Sequence, residues 1–100
     1  MIRHIVLIRF RADVAEATIA GIFAVLPGLA AKLGVPSCAY GRSQSPEQIE
    51  RGYMHGFTLD FADWEALATY AADPDHRAFG GQLVAHAAPD GILVFDLAVP

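Results

Sequence analysis

The sequence predicts a single α+β domain over residues 1–100, with elements in the order β-α-β-β-α-β and the second helix broken in two. Four segments are rich in β-branched and aromatic residues, as strands are. Two stretches between them carry apolar residues at helical spacing. Pro74 interrupts the second of these stretches, at a position where proline can begin a helix but cannot continue one.

The first strand is expected over residues 3–10, and both of its faces are apolar. The even-numbered side chains from His4 to Phe10 form one face, and Ile5 and Leu7 belong to the other. One layer of helices can cover only one face of a sheet. The second apolar face therefore predicts a homodimer held by the faces of the two sheets.

The first helix is expected to begin after Asp13, with Glu16 completing a capping box. Pro27 should kink or end this helix, and residues 29–33 are expected to add one more turn. The residues that define its inner side recur at helical spacing: Ile19, Ile22, Phe23 and Leu26.

A weaker strand is expected over residues 36–42, and a polar loop over 43–52, with one helical turn that begins at Ser45. The third strand, residues 53–61, alternates between two faces. The side chains on the face toward the helices are Tyr53, His55, Phe57, Leu59 and Phe61.

The second helix should be capped by Asp63, end near Ala72 and restart at Pro74. A turn is expected at residues 89–91, before a last strand over 92–99. This order of elements is the ferredoxin-like, split βαβ arrangement.

Tyr70 and His76 are each expected on the inner side of one half of the broken helix. The break lets both side chains converge over the sheet face that carries His4 and His55. A neutral imidazole at His76 could act as a base near pH 7, and the Tyr70 hydroxyl could hold a carbonyl oxygen. A cavity there would be lined by these residues together with Val6, Ile8, Phe23 and Phe57. The alternative is that all of them are structural.

Composition and charge exclude several classes of protein. A net charge of −4 without a basic run argues against a nucleic-acid partner, and no apolar stretch is long enough for a membrane span. The sequence has no signal-peptide pattern and one cysteine, Cys38, so a cytoplasmic location is expected. The sequence contains no closely spaced pair of histidines, so no metal site is expected, and it contains no cofactor-binding motif, so no cofactor is expected.

With these residues in view, the chain resembles the stress-responsive A/B barrel family, also called dimeric α/β barrel (Dabb) proteins. The matching pieces are HIVLIRF near the start, GYMHGFTLDF in the third strand, the run from Trp64 to Phe79 and the closing FDL. The resemblance implies ferredoxin-like subunits that pack sheet against sheet as a homodimer.

The resemblance also implies a possible reaction. In a member of this family, the plant polyketide cyclase that makes olivetolic acid, a histidine acts as base for an aldol ring closure without a cofactor, and a tyrosine assists. His76 and Tyr70 stand at those positions here, and His4 and His55 match two further histidines. Asp73 departs from the pattern, because the plant enzyme has histidine there.

Three functions are compatible with the sequence. The first is a cyclase-like enzyme that binds a small hydrophobic or aromatic ligand. The second is a non-catalytic dimeric stress or interaction protein with a filled core. The third, a cofactor-independent monooxygenase, shares the fold but has no residue that we can assign to oxygen chemistry. A cavity of several hundred Å3 beside His76 would favour the first function over the second.

Overall fold

The four apolar segments form one antiparallel sheet, and the helices pack on one of its faces. The computed structural model describes residues 1–100. Its elements are β1 (Ile2–Phe10), α1 (Glu16–Phe23), α2 (Leu26–Lys32), β2 (Ser37–Arg42), β3 (His55–Phe61), α3 (Trp64–Ala72), α4 (Pro74–His86) and β4 (Ala87–Ala98). The strand order is β2-β3-β1-β4, which confirms the ferredoxin-like prediction. No helix has the length and apolar character that crossing a bilayer would require.

β1 is a central strand, and its neighbours come from distant parts of the chain. It pairs with β3 on one side and β4 on the other, so that Val6 lies opposite both Phe57 and Val94. The even-numbered side chains of β1 face the helices, as the sequence predicted. The helices and this sheet face bury one continuous core: Ile2, Val6, Ile8, Ile19, Ile22, Phe23, Leu26, Leu29, Ala30, Phe57, Leu59, Phe61, Tyr70, Phe79 and Leu83.

The opposite face of β1 and β4 is apolar and uncovered in the subunit. Leu7 lies opposite Leu93 and Ile5 opposite Phe95, so these side chains form one patch together with Leu97. Phe95 is 61% exposed, and Leu93 and Leu97 are each 46% exposed. The register places Ile5 and Leu7 on this face, as the sequence predicted.

Two aspartates begin the two halves of the broken helix, as predicted. The Asp63 carboxylate accepts a hydrogen bond from the Ala66 amide at 2.8 Å. Asp73 caps α4, and its Oδ1 accepts hydrogen bonds from the amides of Asp75 at 2.8 Å and His76 at 3.3 Å. Because Pro74 needs no amide partner at this position, the cap and the proline together start a new helix in a new direction.

The start of the first helix was predicted wrongly. The N-cap of α1 is Ala15, with no side-chain cap, and Asp13 pairs with Arg11 instead. The expected capping box fails because the Glu16 carboxylate turns to a partner on the sheet. Pro27 is the second residue of α2 and lies in its first turn. It therefore stands near the start of a helix, where we had expected a kink or an end.

Three boundaries near the loops also differ. The loop around Ser45 contains a turn but no helix, and β3 begins at His55, two residues later than predicted. The predicted turn at residues 89–91 is an irregularity inside β4, where Asp90 has a φ of 54°. A Cβ atom at Gly91 would lie 2.5 Å from the Arg9 carbonyl oxygen, so the close approach of the two strands requires glycine there.

Candidate functional site

Tyr70 and His76 meet where α3 ends and α4 begins. Tyr70 is in the last turn of α3, His76 is in the first turn of α4, and their ring centroids are 4.1 Å apart. The contact depends on the change of direction at Asp73, because an unbroken helix would turn residues six apart to different faces.

The partly buried His76 is held as a neutral imidazole with one free nitrogen. Its Nδ1 lies 3.1 Å from the Ala71 carbonyl oxygen, an acceptor only, so Nδ1 donates this bond. No hydrogen bond within the protein engages Nε2, which is then the unprotonated nitrogen. Burial lowers the pKa of His76, and nearby His4 adds to this effect, while the bond to Ala71 and the charge of Asp73 oppose it.

The Tyr70 hydroxyl is buried without a partner. The residue is 2% exposed, and its Oη is the one buried side-chain polar atom in the structure that makes no hydrogen bond. Burial raises the pKa of this phenol, so the hydroxyl stays protonated across the physiological range. An unpaired buried donor can be satisfied by a ligand oxygen.

His4 extends this cluster toward β4. Its ring lies 5.8 Å from that of Tyr70, and its Nδ1 is 2.6 Å from the Asp96 carboxylate. Asp96 therefore fixes the orientation of a buried imidazole beside the tyrosine. Asp96 is the one acidic residue in the apolar strand that the sequence predicts over residues 92–99. An isolated charge in such a strand was the signal that could have indicated a buried partner.

His55 lies apart from this cluster. His4 of β1 lies opposite Leu59 of β3. Leu59 is four residues from His55 along the same strand, so His4 and His55 are separated by about 13 Å along the sheet. His55 is buried, and its Nε2 lies 3.0 Å from Glu16, whose carboxylate also accepts from Arg42 at 2.6 Å. The structure therefore assigns the predicted site residues to two separate clusters.

Aromatic side chains fill the space in which the sequence analysis placed a cavity. Phe57 packs between Phe23 and Phe79, with centroid distances of 6.1 and 5.3 Å. Val6 and Ile8 are completely enclosed in the same core. Neither Tyr70 nor His76 lines any of the four principal pockets. No three histidine, cysteine or acidic side chains lie close enough together to hold a metal ion.

Solved structures share this fold closely. A dimeric ferredoxin-like protein of unknown function from Jannaschia sp. CCS1 is 38% identical, with a TM-score of 0.90 and 98% of each chain covered. The protein At3g17210 of Arabidopsis thaliana is 26% identical, with a TM-score of 0.86 over 100% of this chain and 96% of its own. A hydroxynitrile lyase from Passiflora edulis, 19% identical, has a TM-score of 0.86 over 99% and 93% of the two chains and shows the fold alone.

Sequence comparison identifies the family. No curated protein matches the chain significantly. The stress responsive A/B barrel domain (Dabb) matches it over residues 2–99, which is nearly the whole chain. This match agrees with the strand order and with the broken second helix described above. The chain belongs to the stress-responsive A/B barrel domain family.

Proposed function

We propose that this protein is a homodimer that binds a small carbonyl-bearing hydrophobic or aromatic ligand at Tyr70 and His76. His76 would act as the base in an aldol-type cyclisation, as in the plant polyketide cyclase that the sequence resembles. The observation that carries the proposal is the unpaired hydroxyl of Tyr70, whose ring contacts the His76 ring at a centroid distance of 4.1 Å. A buried donor without a partner is costly, and a ligand oxygen would remove that cost.

The two side chains would perform complementary parts of one step. The Tyr70 hydroxyl donates a hydrogen bond to a ligand carbonyl, and Nε2 of His76 takes a proton from the adjacent carbon. The enolate carbon attacks a second carbonyl of the same ligand, a carbon–carbon bond forms, and the new alkoxide takes the proton back from His76. The step needs no oxidant or cofactor. His4, oriented by Asp96, would be a wall donor.

The homodimer is proposed from the uncovered sheet face. Phe95, Leu93 and Leu97 lie exposed on one flat patch, which a monomer would present to water. The similar Jannaschia protein is described as dimeric, which supports the same assembly here. A stable interface would bury roughly 800 Å2 on each subunit.

The test is turnover of a linear poly-β-keto thioester, together with binding of its cyclised aromatic product. We expect His76→Ala to abolish turnover and Tyr70→Phe to reduce it by roughly two- to tenfold, because one neutral hydrogen bond is lost. His86→Ala is a matched control, since His86 is also in α4 and its Nδ1 also bonds a backbone carbonyl, that of Gln82, at 2.7 Å. Equal activity in the His76 and His86 variants would exclude His76 as the base.

A second candidate function is a non-catalytic dimeric stress or interaction protein. The observation that favours it is the filled interior, in which Phe23, Phe57 and Phe79 occupy the space of the expected cavity. This function predicts no binding of the thioester or the product by the wild-type protein. It also predicts that His76→Ala changes only the melting temperature.

A further inference from the structure

A well-formed groove lies within the helical layer, away from the sheet. It has a volume of about 560 Å3 and is bounded by α1, α2 and the first half of α4. Ile22, Leu29 and Phe79 form its apolar floor. Phe79 also packs on Phe57 in the core, with ring centroids 5.3 Å apart.

Two glycines create this groove. Gly21 in α1 and Gly28 in α2 both line it, and a Cβ atom at either position would meet nothing within 4 Å. Glycine inside a helix costs roughly 0.5–1 kcal/mol relative to alanine. Neither glycine has a positive φ, and no atom lies close to the position of its Cβ, so neither backbone conformation nor a close approach requires glycine there. The free volume above them is the one structural effect that they have in common.

One end of the groove is polar and lies beside a cluster of three charged side chains, of which Lys32 and Asp75 line the groove. Lys32 donates to Asp73 at 2.8 Å and to Asp75 at 2.6 Å, so two carboxylates surround one ammonium. The Asp73 carboxylate is fully engaged by Lys32 and the helix cap. The Asp75 side chain is 69% exposed, bonds Lys32 through Oδ2 only, and leaves Oδ1 free beside the groove.

We propose that this groove binds a small apolar molecule that carries a primary amine, at a site distinct from Tyr70 and His76. The apolar body would lie over Gly21 and Gly28 on the floor of the groove. The ammonium would donate to Oδ1 of Asp75, where the summed charge of Lys32, Asp73 and Asp75 is −1. A carboxylate ligand placed at Oδ1 of Asp75 would meet a second negative charge and be repelled.

The size of the groove favours a small molecule over a protein segment. A volume of 560 Å3 lies within the range of roughly 300–1,000 Å3 typical of ligand sites. A stable protein partner would need roughly 800 Å2 on each side.

The test compares two probes that share one aromatic body, 1-naphthylmethylamine and 1-naphthylacetate, in fluorescence titrations at low ionic strength. We expect the wild-type protein to bind the amine about fivefold more tightly than the acid, since Asp75 is exposed and its charge partly screened. Asp75→Asn should remove that preference. Equal affinity for both probes in the wild type, or no binding of either up to its solubility, would overturn the proposal.

Variants of the helical glycines provide the steric test. Gly28→Leu should fold, because open space surrounds its Cβ, and should weaken amine binding by about tenfold or more by filling the groove. Gly81→Leu is the matched control: Gly81 is an exposed helical glycine with open space around its Cβ that does not line the groove. Wild-type affinity in Gly28→Leu would refute the site.

A third variant separates this site from the proposed active site. His76→Ala should keep wild-type affinity for the amine even where it abolishes turnover of the thioester. If His76→Ala lost amine binding while Gly28→Leu kept it, the amine would bind at the Tyr70 cluster. The proposed groove site would then be wrong.

Discussion

At the scale of single residues, the protonation of His76 links stability to pH. Its pKa lies below the ordinary value of 6.5 because the ring is partly buried. The unfolded chain therefore binds this proton at a higher pH than the folded chain does. The stabilising contribution of the neutral ring is fully present above pH 6.5 and is lost as the pH falls below that value.

We therefore predict that the wild-type protein loses more stability than His76→Gln when the pH falls from 8 to 5.5. Urea denaturation at several pH values measures the difference. Parallel curves for the wild type and His76→Gln would show that His76 titrates in the folded protein as it does in the unfolded chain.

The unpaired hydroxyl makes a prediction about Tyr70. Because Oη is buried without a partner, Tyr70→Phe should leave the free energy of unfolding unchanged or raise it by about 1 kcal/mol. Tyr53→Phe is the control, since its hydroxyl donates to the Asp90 carbonyl at 2.8 Å and the variant should be slightly destabilised. Chemical denaturation measures both. A clear loss of stability in Tyr70→Phe would mean that the hydroxyl is bonded in solution.

The proximity of Tyr70 to His76 was predictable from the sequence, whereas the partners of the other histidines were not. Helical spacing and Pro74 placed Tyr70 and His76 on converging stripes. The pairs His4–Asp96 and His55–Glu16 join residues 92 and 39 positions apart, and their contact depends on strand register and helix position. Local patterns carry no information on these distances, so the two histidine clusters were treated as one.

At the scale of secondary-structure elements, Asp73 couples three features. It caps α4, receives Lys32 from α2, and fixes the first turn that carries His76. We predict that Asp73→Ala lowers the free energy of unfolding by about 1–2 kcal/mol, with the lost cap as the main cause.

Asp73→Asn distinguishes the cap from the ion pair. Asparagine can cap a helix as well as aspartate can, but it cannot pair with the Lys32 ammonium. Denaturation curves should therefore show most of the lost stability restored in Asp73→Asn. If Asp73→Asn loses as much stability as Asp73→Ala, the ion pair with Lys32 is the dominant interaction at this junction.

The prediction of elements succeeded where local chemistry determines the structure. Asp63, Asp73 and Pro74 were assigned correctly because caps and helix starts depend on a few adjacent residues. The capping box predicted at Asp13 and Glu16 does not form, because the Glu16 carboxylate makes a tertiary contact with His55 instead. The filled interior also depends on how Phe23, Phe57 and Phe79 pack across three elements, which spacing along the chain does not specify.

At the scale of the whole molecule, the dimer can be tested with two adjacent residues of β4. Phe95 and Val94 are 61% and 59% exposed in the subunit but point to opposite faces of the sheet. We predict that Phe95→Lys converts the dimer to a monomer, because it places a charge in an apolar interface. Val94→Lys should remain a dimer.

Light scattering at micromolar concentration measures both variants. A dimeric Phe95→Lys together with a monomeric Val94→Lys would place the interface on the helical side of the strand. A wild-type monomer would show that the apolar patch is left open to water.

The central position of β1 has a consequence for folding. β1 pairs with β4 along nearly its whole length, and the backbones of Met1 and Val99 exchange the last of these bonds. During synthesis, β1 therefore leaves the ribosome before β4, and the edge of β1 that pairs with β4 stays unpaired until the end of the domain has been made. Contacts so distant in sequence slow folding, and an apolar strand with an open edge is prone to pair with other chains. The nascent chain should depend on chaperones until β4 has been made.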